Sequence, residues 1–467
     1  MAMDIARVIV VGGGLAGLSA VHTLLEHGKR VLLLDKQPGL GGNSVKASSG
    51  INGAGTETQK ALGIEDSVQA FAADTTTSAS DALAQPTLID ALTSNSASAI
   101  SWLTDSFAID LSVVSRLGGH SAARTHRDKG GAPGWAITSA LMKALATKEA
   151  DGLVEVVKNA RVVRLLVNDV KVIGVEYEAE GEVKSVLAEG VILATGGYAA
   201  DFSPTSILAA HRPDLLSLST TNAAHATGDG LRLATSPSLP AALRAGTTDL
   251  TQVQVHPTGF VDPAQPSSKT RFLAAEALRG AGGMLLDKDG RRFVAEVERR
   301  DVVTDAMQSV ENAGRGPVRI VLGEKAAAEV GKPCGFYVSK GLMKKYDGAQ
   351  AFAEDTGIPL DALLATFASF GTADDAFAGP ASAPYSPTET LHVAIITPVV
   401  HYTMGGLAVD ASARVLSESG TPIDGLWAAG EVMGGVHGKN RLAGSSLLEA
   451  VVFGRIAGNG AAAGVAA

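Results

Sequence analysis

At 467 residues the chain is too long for one ordinary core, and its 46% hydrophobic content is that of a globular protein, so two or three lobes are expected. A formal net charge of -9 argues against nucleic acid, which needs a basic face, but still allows a local Arg and His cluster around a small anion. The single cysteine, Cys334, excludes an intrachain disulfide and a multi-cysteine metal site, and it points to a reducing compartment.

The amino terminus, "MAMDIARVIVVGGG", enters a strand almost at once and lacks the regions of a signal peptide. No apolar run approaches the roughly 20 residues of a membrane helix. A soluble, cytoplasmic protein without a membrane partner is expected. Residues 8–11 read as a buried parallel strand. Glycines follow at 12, 14 and 17, then a helical pattern through His27, then a second strand at 31–34 that ends in Asp35. Gly12 permits a tight turn, Gly14 lets the backbone approach a pyrophosphate, and Gly17 lets helix and strand pack closely. The helix amino terminus offers free N–H groups to phosphate, and Asp35 can accept from ribose hydroxyls. Strand, glycine turn, helix and terminal acid together predict dinucleotide binding.

After Asp35 the stretch "KQPGLGGNSVKASSGING" is suited to wrapping an extended cofactor. Residues 151–195 alternate as strands with a turn near Asn168-Asp169, and "GVILATGG" closes them as a buried strand into Thr195-Gly196-Gly197. From about 250 to 400 the character changes. Charged residues thicken over 287–305, and Pro, Ser and Ala loops fill 371–390. This is expected to be an inserted second domain. Within it His256 precedes a proline, so it belongs to a strand end or turn. Taken alone it reads equally well as a buried histidine bonded to backbone. Glu276 and Arg279, three apart in "FLAAEALRGAGG", read first as a surface helical pair. Arg300 in "VERRDVV" reads first as part of a solvated charge run. His401 and Arg441 carry similarly plain readings, a core histidine and a solvated arginine.

Near the carboxyl end, "GLWAAGEV" (425–432) is another strand running into a glycine turn at Gly430-Glu431. "RLAGSSLLEAVVFGR" is a turn into a helix, whose first residues, Ser445, Ser446, Leu447 and Leu448, can place amides against a flavin or simply cap the helix. The dinucleotide domain is thus built from both ends of the chain. The recurrence of "ATGG" and "AAGE", the long glycine and serine stretch, and the presence of only one G-x-G-x-x-G favour FAD over NAD.

The blocks "GGNSVKASSGINGAGTETQ", "LGGHSAARTHR", "QVHPTGF", "AAEALRG", "GRRFVAE", "RRDVV", "TPVVHYTMGG" and "GGVHGKNRLAGSSLLEAVVFGR" occur in order over almost the whole chain. Together they resemble the flavoprotein family of fumarate reductases and succinate dehydrogenases, and especially its soluble single-chain branch. The resemblance implies an α/β fold: a Rossmann-like FAD-binding domain (1–250 and 401–467) interrupted by an inserted α+β capping domain (251–400). It implies FAD bound by Gly12, Gly14, Ala16, Gly17, Asp35 and Lys36, by Gly42, Asn43, Ser44, Ser48, Ser49 and Gly50, and by Thr195, Gly196, Asp229, Gly430, Glu431 and the 445–448 turn. Asn43 stands where the membrane-bound branch carries a flavin-linking histidine, so the cofactor is expected to be non-covalent. His256, His401, Arg441 and Thr258 are implied to bind a dicarboxylate such as fumarate or succinate. Arg300 is implied to be the general acid, reloaded through Glu276 and Arg279. No metal is implied.

One departure concerns Ala275. The family carries a substrate-contacting Thr there, so that hydrogen bond is either absent or left to Thr258 or Thr403, and the substrate is left open. An L-aspartate oxidase would continue into a helical domain, whereas this chain stops soon after "VVFGR". A reductase of another 2-enoate, such as urocanate or an acrylate, is also compatible with the sequence, as is a non-catalytic electron-transfer flavoprotein. No haem or iron–sulfur motif is present, so electrons are expected from a free reduced flavin or a separate reductase.

Overall fold

The computed structural model describes residues 7–130, 132–377, 379 and 382–464. The apolar run Arg7–Val11 becomes the centre of a six-stranded sheet. It pairs in parallel with Arg30–Leu34 on one side and Gly190–Leu193 on the other. Val154–Val157 and Pro422–Ala428 extend the sheet in parallel, and Arg414–Leu416 closes it as an antiparallel edge. Strands far apart in the chain meet here because each is apolar on both faces and must be covered by helices. The antiparallel strands Arg161–Val167, Val172–Ala179 and Glu182–Leu187 form a small separate sheet. Asn168 makes the turn between the first two, its side chain accepting from the amides of Val170 and Lys171.

A second six-stranded sheet is organised by one long strand, Thr390–Thr403, which pairs with Arg319–Leu322, Lys344–Asp347 and Val253–Phe260. Alternate residues feed two apolar clusters on opposite faces: Ile320 and Leu322 join one, and Val321 joins the other. The two strands that carry the predicted histidines pass between cores. Val253 and Val400 belong to the large cluster around the first sheet, whereas Phe260 and Ile396 belong to a cluster of the second. His256 therefore lies inside a strand, between the cores, and not at a strand end.

The first helix, Leu15–Glu26, packs against the last, Ser445–Gly464, through small residues. A Cβ on Gly454 would lie 2.5 Å from the Ala16 carbonyl oxygen, and one on Gly458 would lie 2.9 Å from the Thr23 Cβ. This close approach brings the start of each helix to the same cavity. Gly458→Leu is expected to cost roughly 1–3 kcal/mol by overpacking, seen as a lower midpoint in a thermal melt, with the secondary structure retained below it.

Candidate active site

A cavity of about 750 Å³ runs along the carboxyl ends of the first sheet and reaches the second. Its shape starts from three glycines. Gly12 has φ +104, and a Cβ there would sit 2.3 Å from the Ala194 carbonyl oxygen. A Cβ on Gly17 would sit 1.8 Å from the Gly12 oxygen, while Gly14 faces open space. Gly14 caps the first helix without a side-chain bond, so amides of that first turn remain available. Asp35 fastens the loop, one carboxylate oxygen accepting from the Gly13 amide and the other from Gln37, each at 2.7 Å.

Most of the expected cofactor residues line this one cavity: Gly12, Gly14, Ala16, Asp35 and Lys36, then Gly42 to Ser44 and Ser48 to Gly50, then Thr195, Gly196, Asp229, Gly430, Glu431, Ser446 and Leu447. Gly17, Ser445 and Leu448 lie behind the wall. Ser445 accepts from the Asn52 side-chain amide at 2.9 Å, and Leu448 is fully buried. Lys36 bonds to Asp229 at 2.8 Å, and Asn43 bridges to Asn222 and the Ala223 amide. The hydroxyls of Ser48 and Thr195 are buried on the wall without a partner. A bare Gly14, free helix amides and two orphaned hydroxyls form a cradle that fits a dinucleotide. Lys46 and Arg271 also line it, two cations that motif spacing did not single out.

At the far end the cavity meets Arg300, His401, Tyr402 and Arg441. The strand pairing explains why the histidines point inward. Gln254 faces Tyr402 while Val255 faces Val400, so His401 is an extra residue in a bulge; a second irregularity follows His256. Bulges re-aim side chains in this way. The two rings meet edge to face with centroids 5.1 Å apart. His256 Nδ1 accepts from the Thr258 amide at 3.2 Å, so in the neutral ring the proton sits on Nε2, which is buried without a partner. His401 Nδ1 is bonded to the Thr221 hydroxyl at 2.7 Å. Burial first, then Arg300 and the neighbouring cations, hold both histidines well below the usual histidine range.

Glu276 opens the short helix Glu276–Gly280 and is buried, as are Arg279 and Arg300. The surface-pair and solvated-run readings of these residues are thereby overturned: the arginine of the "RR" pair that reaches solvent is the half-buried Arg299. Glu276 Oε2 accepts from Arg300 Nε at 2.7 Å, and its Oε1 accepts from the Gly118 amide at 3.1 Å. Arg279 stands 3.7 Å away. Burial would raise the Glu276 carboxyl, but Arg300 and Arg279 outweigh it and hold the group at about 2. Burial, with Arg300 nearby, lowers Arg441 to about 10. Arg441 packs over the Tyr402 ring and has a buried Nε with no partner. An unpaired buried donor costs roughly 1–3 kcal/mol, more when charged. Arg441 is thus set to receive an anion.

Gln254, which opens the "QVHPTGF" block but is expected to have no role there, ties these parts together. Its Oε1 accepts from Arg300 Nη1 at 2.8 Å and from Arg441 Nη2 at 3.2 Å, while its amide donates to Asn440 and to the Arg441 carbonyl. Its place two residues before His256 in an extended segment, on the same strand face, is the one hint the sequence holds. Thr258 and Thr403, the two expected stand-ins for the missing threonine, do not line the cavity: Thr258 donates to the Ala274 carbonyl, and Thr403 donates to Glu431. His256, Glu276 and Arg279 also lie behind the wall. Glu431, half-buried on the cavity wall and accepting from the Thr403 amide, is pushed up to about 7 by desolvation.

Comparison with known proteins places this geometry. The FAD binding domain family matches residues 7–447. A fumarate reductase of Schizosaccharomyces pombe is 47% identical over 469 residues, covering 97% of this chain and 89% of that protein. Fumarate reductase 1 of Saccharomyces cerevisiae is 42% identical over 473 residues, covering 97% and 98%. The open conformation of a flavocytochrome c3 fumarate reductase is similar in structure, with a TM-score of 0.79 at 34% identity over 99% of this chain and 79% of that one.

The histidine environments have a direct readout. As pH falls below about 6.5 the unfolded chain takes up protons that the folded His256 and His401 refuse, so their contribution to stability declines on acidification. Nitrogen NMR of labelled histidine at about pH 6 is expected to show both rings neutral, with the His256 proton on Nε2.

Proposed function

The chain belongs to the FAD binding domain family, and on that premise we propose that it is a flavin-dependent fumarate reductase, converting fumarate to succinate. The observation that carries this is the buried cationic end of the cavity. Arg300 and Arg441 share one amide oxygen, and among the described residues Arg441 Nε has no partner. Among the described residues, Glu276 is the one carboxylate hydrogen-bonded to Arg300. Unspent donors beside two buried guanidinium groups suit a small dianion.

FAD, held along the glycine loop and the start of the last helix, would supply the hydride when bound in its reduced form. The chain's own residues do the rest. Arg441 offers its planar guanidinium to one substrate carboxylate. His401, kept neutral, orients the substrate from the cavity wall without adding charge, and His256, kept neutral behind the wall, packs edge to face against that ring. Arg300 holds the proton that the second alkene carbon takes up as negative charge develops there. Arginine gives up a proton reluctantly, so its replacement must be immediate. Glu276, ionised at rest, is protonated only in passing, taking a proton from the Arg279 side as it gives one to Arg300. Residues 251–400 act as a cap, because the strands bearing His256 and His401 join the two cores and any shift between them would change the donor set. The Asn43 amide, committed to Asn222 and Ala223, supports non-covalent cofactor binding. A free reduced flavin or a separate reductase delivers the electrons.

Ala275 favours a second reading, reduction of another 2-enoate, since neither Thr258 nor Thr403 lines the cavity to replace the missing donor. Reoxidation of a chemically reduced viologen is expected with fumarate, and only weakly with acrylate or urocanate. A flavin spectrum and turnover indifferent to fumarate would refute the assignment. Arg300→Ala is expected to keep FAD and lose about 10²–10⁴-fold in turnover; near-normal turnover would remove Arg300 from the acid's role.

A further inference from the structure

We propose that one water molecule, held in a small second cavity beside Arg279, is where protons from solvent enter the relay. This rests on the relay reading above and extends it outward. The cavity measures about 10 Å³ and is lined by Arg279, Glu296, Val297, Phe370, Phe377 and Gly379, among others. That is about the room one water needs, and a water is stable only where polar partners meet it.

Arg279 supplies those partners. Its side chain is 1% exposed, and its Nη1 donates to the Glu296 carbonyl. Among the described residues its Nε and Nη2 have no hydrogen-bond partner, and the contact to Glu276 is a loose 3.7 Å. Unspent guanidinium donors therefore border a water-sized space. The neighbouring arginine is the opposite case. Arg292 donates Nε and Nη2 to Glu296, Nη1 to Asp375, and Nη2 also to the Phe377 carbonyl. It stacks over Phe370 at 4.5 Å. With every donor spent it is a brace behind Phe370 and Glu296 and not a carrier. Val297, 37% exposed, forms the side nearest solvent.

The proton balance is simple. The water gives a proton to Arg279 as Arg279 gives one to Glu276, and the water is restored from solvent. Each group ends the turnover with the protons it began with. The relay's net change is one proton taken from solvent and delivered to the second alkene carbon; the other C–H bond, with its electron pair, comes from the hydride.

Filling the cavity tests this. Gly379 has ordinary backbone, and a Cβ there would meet Val297 at 3.2 Å, so Gly379→Val places methyl groups in the space. In the FAD-loaded enzyme, fumarate turnover is expected to fall about tenfold with KM unchanged and a larger deuterium-solvent isotope effect. Oxidation of the reduced enzyme by ferricyanide, which needs no proton from this route, should be unaffected. If Gly379→Val does not fold, Ser382→Leu fills the same space from another wall. Unchanged turnover and isotope effect in a filled variant would overturn the proposal. Glu276→Gln separates the two readings. If it slows turnover while the filled variant does not, the relay stands and the entrance is wrong. If both variants are silent, the relay itself falls.

Discussion

The structure is organised around three buried guanidinium groups, Arg279, Arg300 and Arg441, with the Glu276 carboxylate set among them and hydrogen-bonded to Arg300. Burying a charge is tolerable only when it is paired and hydrogen-bonded. The polar groups at this end of the cavity answer that constraint. Glu276 stays ionised because two arginines face it and the Gly118 amide caps its other oxygen. Gln254 spends one carbonyl oxygen on both Arg300 and Arg441, screening two like charges with a single dipole. Burial first, and then the nearby arginines, hold the histidines well below the usual histidine range. What remains among the described residues is a set of unspent donors, Arg441 Nε among them, and the proposed substrate is the group that would use them.

The scaffold supplies the means to bury so much charge. Two paired strands run from one core into another, and a bulge in each turns a histidine toward the junction. The glycine loop and the tightly packed first and last helices bring backbone amides to the same cavity from the other side. Backbone donors and buried side chains thus converge from elements scattered along the chain. Motifs at 12–17, 254–258, 276–279, 300, 401 and 441 contribute to one surface or to the layer just behind it.

The glycine loop was legible in the sequence because its logic is steric. Gly12 and Gly17 leave no room for a Cβ, and the alternation of strand, turn and helix announces them. The arginines were not legible in that way. Spacing cannot distinguish a buried Arg300 from the half-buried Arg299 beside it, because both belong to the same charged run and burial is decided by strands distant in sequence. Glu276 and Arg279 looked like an ordinary helical pair for the same reason. Only the ordered set of blocks, through the family resemblance, pointed to them. Gln254 and Gly118 lie inside two of those blocks, but their roles were not legible there. One is an uncharged amide and the other contributes only a backbone N–H, so neither carries a local signal. The bulge that turns His401 is likewise invisible, since it exists only in the register of two strands far apart in the chain.

A second kind of buried arginine shows why burial alone does not mark chemistry. Arg124 is fully buried, with Asp66 at 2.9 Å, Asp74 at 2.5 Å and the Phe71 ring beneath it. Its charge is more than cancelled, its Nε and both terminal nitrogens are bonded, and it borders the turn that carries Gly118 and His120. That arrangement is complete without a ligand and acts as a brace. Arg279 and Arg441 are buried just as deeply, yet each keeps donors without partners. The distinction lies in what is left unsatisfied. A brace uses all its hydrogen bonds on the protein, whereas a site holds some in reserve for a molecule that comes and goes.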